Sequence, residues 1–186
     1  MRELSPARGR LPQAPRLLST RRRERRVDRV GGALRTRYNG VMTERFVESY
    51  RARWADMDFN QHMRNAAFLG CSEETRMRFL DANGWTMQRF AKEKIGPVVV
   101  EDKLTYKAEL SLLERFTVDI AVAAITDDGR RMKVRNTYCK EDGALAAVVE
   151  SVVLWFDLAA RKPTPPPPAL RDVWLGCART DDFVSW

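Results

Sequence analysis

Histidine is almost missing from this chain of 186 residues, with His62 the only one. A Ser-His-Asp or Cys-His hydrolase would have to be built around that single ring, and no G-x-S-x-G elbow accompanies it. Cysteine is sparse too: Cys71, Cys139 and Cys177 are odd in number and form no C-x-x-C pair. That argues against a disulfide framework and a structural zinc site, and fits a reducing, cytoplasmic setting. No apolar run is long enough to span a bilayer, so no membrane partner is expected.

The formal charge of +8 points to nucleic acid until it is divided along the chain. Met1 to Val41 holds 12 of the 33 basic residues and 3 of the 25 acidic ones, leaving 21 against 22 from Met42 onward. The excess belongs to this leader, and the domain behind it gives no reason to expect a nucleic-acid partner. The leader carries Arg21, Arg22, Arg23, Arg25 and Arg26, three prolines, few large apolar residues and no lysine. Residues 1–41 are therefore expected to be disordered. Three readings compete: an organelle transit segment, a nucleic-acid-binding arm, and translation from a start upstream of the natural one. The switch from arginine alone to free use of lysine favours the last, with Met42 as the start.

From Phe46 to Trp54 the pattern is that of a half-buried strand, with Phe46, Tyr50, Ala52 and Trp54 on one side. A long helix is predicted next, capped by Asn65 and ended by Asn83 and Gly84. A shorter one follows from Thr86 to Lys94, stopped by Gly96 and Pro97. Val98 to Leu112 alternates as a long strand, Phe116 to Ala124 as another, and the turn Asp127-Asp128-Gly129 leads into a strand from Met132 to Tyr138. A second hairpin at Glu141-Asp142-Gly143 precedes Ala144 to Phe156, which is apolar on both faces. The expected fold is α+β: a five-stranded antiparallel sheet around one long helix in residues 42–160. Its exposed sheet edges are best covered by forming a homodimer or homotetramer. Arg161 onward, with Pro165 to Pro168, is expected to leave the sheet, so that residues 161–186 form a Pro-rich tail.

Between the first strand and the long helix stands DMDFNQHMRNAAFL, Asp56 to Leu69, which gathers two carboxylates, the only histidine and a capping asparagine. A helix start offers unpaired N–H groups that can polarise a carbonyl, while a nearby carboxylate acts on the same carbon. Aspartates and asparagines before a helix are also ordinary turn and cap residues. This stretch resembles the 4-hydroxybenzoyl-CoA thioesterase-like branch of the hotdog superfamily. The matching residues are Asp56-Met57-Asp58, His62, Asn65, then Glu73, Glu74, Thr75, Arg76 and Phe79, and the exit Asp157, Arg161, Lys162, Pro163. The likeness covers roughly Phe46 to Leu170.

The resemblance implies a hotdog fold and an acyl-CoA thioesterase without metal or redox cofactor. It puts the catalytic carboxylate on Asp58, as nucleophile or base, and the carbonyl-polarising amides at Asn65 and Ala66. His62 would order the loop or touch substrate. Gln61, Ala66 and Phe68 are candidate substrate contacts, with Gln61 replacing the glycine common before this histidine. Asp56 is expected to be structural. Glu73 is a fallback base, Asp102 and Asn136 are pocket or bulge residues, and Arg131, Lys133 and Arg135 are either a CoA-phosphate stripe or a solvated row. A non-catalytic hotdog that binds acyl groups or serves in assembly is the alternative function, with a dehydratase behind it.

Overall fold

The computed structural model describes the backbone of residues 27–30, 33–38 and 41–186, and side chains from Arg45 onward. The run Arg21 to Arg26 lies outside the described residues. β1 (Val27–Val30), β2 (Ala33–Tyr38) and β3 (Val41–Arg45) pair antiparallel as a small three-stranded sheet. β1, β2 and the first residue of β3 fall in the stretch expected to be disordered.

The main sheet begins with β4 (Val47–Arg51), followed by a 3-10 turn at Trp54–Asp56. Then come α1 (Asn65–Ala82), α2 (Met87–Glu93), β5 (Ile95–Tyr106), β6 (Arg115–Asp119), β7 (Ala121–Ile125), β8 (Arg131–Lys140) and β9 (Leu145–Asp157). The chain closes with β10 (Lys162–Pro163), α3 (Pro168–Leu175) and β11 (Arg179–Ser185). Across the sheet β5 lies beside β9, β9 beside β8, and β8 beside β6 and β7, which follow one another along a single line. β4 borders β6, and β11 runs parallel to β7. Among the described residues the sheet has eight strands rather than five, because the predicted Phe116 strand breaks at Ile120 and the C-terminal segment adds two. Bulges in the β5, β7 and β8 pairings curl it.

Among the described residues there are three helices where one long central helix and one shorter one were expected; α1, with 18 residues, is the longest, and α3 is the addition. α2 begins at Thr86, whose hydroxyl accepts from the Arg89 N–H at 3.2 Å, and ends at Lys94 in the left-handed region. β5 starts at Ile95, so Gly96 and Pro97 sit within the strand instead of stopping the chain before it. A proline is tolerated there because, among the described residues, β5 pairs with β9 alone and its missing N–H breaks no second ladder.

The segment expected to leave as a Pro-rich tail is packed into the fold. Pro168 occupies the first turn of α3, where the absent N–H is harmless, and Leu170, Trp174 and Cys177 are buried. Residues four apart on a helix share a face, so Leu170 and Trp174 reach the core together. That core has two parts. One gathers Met63, Phe68, Leu110, Phe116, Val118 and Tyr138; the other holds Phe79, Leu80, Trp85, Met132, Trp155 and Trp174. Each fully buried large side chain contributes about 1.5–3 kcal/mol relative to exposure. Between the two parts, Ser72, Thr75 and Arg76 on α1 are buried and polar.

Candidate functional site

The Asp58 loop is a tight excursion with clamped ends. Met57 bridges to Met63 and His62 to Ser111, while the Met63 N–H donates to the Leu110 carbonyl at 2.8 Å. Because Met63 is buried, the return of the loop is fixed to the core. Inside the loop the Asp58 N–H donates to the His62 carbonyl at 2.9 Å, and the Gln61 N–H to the Asp58 carbonyl at 3.1 Å. The Asp58 carboxylate turns back on the same loop: Oδ1 accepts from the N–H groups of Asn60 at 2.8 Å and His62 at 3.3 Å. Its Oδ2 has no hydrogen-bond donor among the described residues. Gln61 stands at φ 68°, the left-handed region that favours glycine.

Asp56 and Asp58 serve different ends. Asp56 is buried and accepts from the Arg53 backbone N–H, Nε and Nη2, each at 2.9 Å. Those bonds hold its carboxyl below the ordinary aspartate value. Asp58 is exposed, as are Asn60, Gln61, Asn65 and Ala66. His62 is half-buried, with Nε2 4.0 Å from Glu109 Oε2. Trp54 and Phe59, 80 % and 93 % exposed, flank the loop as uncovered aromatics.

At the helix start the structure departs from the expected cap. α1 begins at Asn65, and the capping position is Arg64, whose side chain makes no cap bond. Asn65 Oδ1 instead accepts from the adjacent Ala66 N–H at 2.8 Å. One of the two amides expected to polarise a carbonyl is therefore engaged, while the Asn65 N–H has no partner among the described residues. Phe68 is a core residue, packed against Tyr106 and Tyr138 with ring centroids 5.5 and 5.2 Å away. Its carbonyl accepts from the Tyr138 hydroxyl, which also meets Ser72 Oγ at 2.7 Å.

Farther along α1, Arg76 Nη1 donates to Ser151 Oγ at 2.8 Å and Asn136 Oδ1 at 3.3 Å. Asn136 Nδ2 donates to the Asp119 carbonyl at 2.9 Å, and Ser151 Oγ to Asp102 Oδ1 at 2.6 Å. Asn136 thus interrupts an apolar strand to meet a cation from the helix, and Asp102 interrupts another to accept from the Ser151 hydroxyl that meets the same cation. Sequence periodicity alone missed this network; its signal was a polar residue on each of β5, β8 and β9 with an arginine on the facing helix.

Residues 52–173 match the family model of the thioesterase-like superfamily. The chain belongs to that superfamily. By that membership it is a thioester hydrolase. Among solved structures it is similar to a Staphylococcus aureus protein in complex with CoA, with TM-score 0.69 and 22% identity over 80% of this chain and 93% of that one. It is also similar to a 1,4-dihydroxy-2-naphthoyl-CoA thioesterase from Synechocystis, with TM-score 0.64 and 16% identity over 70% and 96% of the two chains. A gentisyl-coenzyme A thioesterase gives TM-score 0.62 and 19% identity over 69% and 98%. These likenesses carry the fold. No curated protein matches the chain.

In this thioesterase-like chain the basic residues of β8 already have partners. Arg135 is held by Glu150 and Asp182, each at 2.7 Å, while Arg131 and Lys133 lie 4.6 and 5.6 Å from the Trp186 ring centroid. The stripe read in the sequence is thus tied to the C-terminal strand. No helix among the described residues is long and apolar enough to cross a membrane.

Proposed function

We propose that the chain hydrolyses acyl-CoA thioesters to free acid and CoA, with Asp58 as the reactive carboxylate. The observation that carries this is the loop itself. Two backbone N–H groups fix Asp58 Oδ1 and leave Oδ2 to act, on a loop that leads within seven residues to the start of α1. Oδ2 either attacks the thioester carbonyl, expelling the CoA thiolate and leaving an anhydride for water to cleave, or takes the proton of a water that attacks instead. The negative oxygen that develops faces the positive end of α1, where the Asn65 N–H is open. The Ala66 N–H joins it once the Asn65 side chain turns away. His62 orders the loop, and Gln61 stands at the acyl entrance.

The site is completed by a second copy of the chain in a cytoplasmic homodimer or homotetramer. β5 presents Val98, Val99 and Val100 along a sheet edge that no described strand pairs, and Trp54 and Phe59 are uncovered beside the catalytic loop. The exposure of Asp58 in the single chain favours a second reading, an acyl-binding protein without turnover. Asp58→Asn decides between them. Against a panel of short, long and aromatic acyl-CoAs, the variant should fold as wild type and lose about 10²–10⁴-fold in kcat. Near-normal turnover would end the assignment to Asp58, and binding without turnover by the wild type would establish the second reading. Label found in Asp58 after a single turnover in ¹⁸O-water establishes the anhydride route, since direct attack by water places the label in the product acid alone.

A further inference from the structure

Beyond the Asp58 loop, the second half of α1 borders a cavity of about 300 Å³. Apolar residues of α1, β5, β8, β9 and α3 make its wall, among them Met77, Leu80, Val99, Met132, Val153 and Trp174, and Arg76 is the one cation among the described residues that lines it. Arg76 is 8 % exposed. Its Nη1 bonds are to neutral oxygens, and neither Nε nor Nη2 has a protein partner among the described residues. No carboxylate among the described residues forms an ion pair with it: Asp102 stands behind the Ser151 hydroxyl, and Glu73, at the cavity rim, is exposed. Burial pushes the guanidinium pKa down, with Asp102 and Glu73 opposing the shift. A cation taken out of water without a facing anion is an unfavourable arrangement unless something else supplies the charge.

We propose that this cavity is a binding site for a carboxylate with a short apolar tail, the carboxylate seated on the free edge of Arg76 and the tail against Met132, Val153 and Trp174. A guanidinium edge presents two parallel N–H groups that match the two oxygens of a carboxylate. The volume lies at the small end of ligand pockets, about 300–1,000 Å³, which selects a short acid over a long one. A purely structural tie between helix and sheet would need only Nη1, which Ser151 and Asn136 already hold. The carboxylate can come from a free acid or from the far end of an acyl group on CoA; the chemistry at Arg76 is the same.

Calorimetric titration of the full chain with hexanoate and with hexanol tests the site without requiring turnover, so its outcome is separate from that of the thioesterase reading. Hexanoate should bind at least tenfold more tightly than hexanol. Arg76→Met should erase that difference, and Glu73→Gln, which removes a competing charge from the rim, should tighten hexanoate several-fold. Comparing adipoyl-CoA with hexanoyl-CoA identifies the source. A preference for adipoyl-CoA that Arg76→Met abolishes places the carboxylate on the acyl group, whereas equal kcat/KM with hexanoate binding intact places it on a free acid. Equal or undetectable binding of hexanoate and hexanol by the wild type would overturn the proposal, as would undiminished hexanoate binding by Arg76→Met. Should Arg76→Met not fold, the wild-type pair and Glu73→Gln decide the matter.

Discussion

Gln61 offers a clean test of how the loop is held. A side chain in the left-handed region costs roughly 1–2 kcal/mol, because its Cβ crowds the following carbonyl. Gln61 bears that cost at φ 68°, while its N–H and the neighbouring His62 N–H both bond Asp58. Gln61→Gly removes the crowding but adds freedom to the unfolded chain, a loss of about 0.5–1 kcal/mol. The net gain should be about 0.5–1 kcal/mol, a rise in Tm of roughly 1–4 °C for a chain of this size. Gln61→Ala keeps the Cβ and should leave stability near wild type. Thermal and urea unfolding of the three proteins, side by side, measure both effects. If alanine stabilised as much as glycine, or glycine destabilised, the backbone account of this loop would be refuted.

Phe68→Ala opens the core where α1 meets Tyr106 and Tyr138, and should cost about 3–5 kcal/mol in urea unfolding; a loss below about 1 kcal/mol would mean that Phe68 is not packed as described. Asp56 supplies an acid-sensitive contribution. Because Arg53 lowers its folded pKa below the ordinary 3.8, the stabilisation is complete above that value and fades as pH falls through the lowered one. Asp56→Asn should therefore be less stable at neutral pH, with the gap to wild type closing as the solution is acidified; a gap that stayed constant would show that the Arg53 contact does not titrate.

Much of the fold is legible because its signals are local. The turn at Asp127-Asp128-Gly129 places Gly129 at φ 71°, and the strands on either side, β7 and β8, pair in the expected antiparallel sense. β8 follows the alternation that predicts it over its first half, and β9, read as apolar on both faces, has buried residues on both. What failed was non-local. Four prolines in a row read as an exit from the sheet, yet the last begins a helix whose Leu170 and Trp174 only make sense once a core exists to receive them. β5 reads as one apolar face, but a bulge after Val99 changes its register, and Val98, Val99 and Val100 are all exposed. In the candidate site the sequence marks the loop and the helix start to within one residue. It cannot reveal that Asn65 turns its side-chain oxygen onto the Ala66 N–H, because that is a choice of rotamer. Nor can it reveal that Arg76 is buried, since a helix face carrying Ser72, Thr75 and Arg76 looks solvated until three strands are seen to supply its partners.

The polar belt across α1 also sets the helix in one place. A greasy cylinder on a greasy sheet can slide by a turn or roll a few degrees at little cost; Tyr138 meeting Ser72, and Arg76 meeting Ser151 and Asn136, work as teeth that allow a single meshing. With its position indexed at the middle, the rod can be re-dressed at its far end without disturbing the alignment of its near end with the Asp58 loop. Ligand preference and reactive geometry can then drift apart over generations as two independent inheritances of one scaffold.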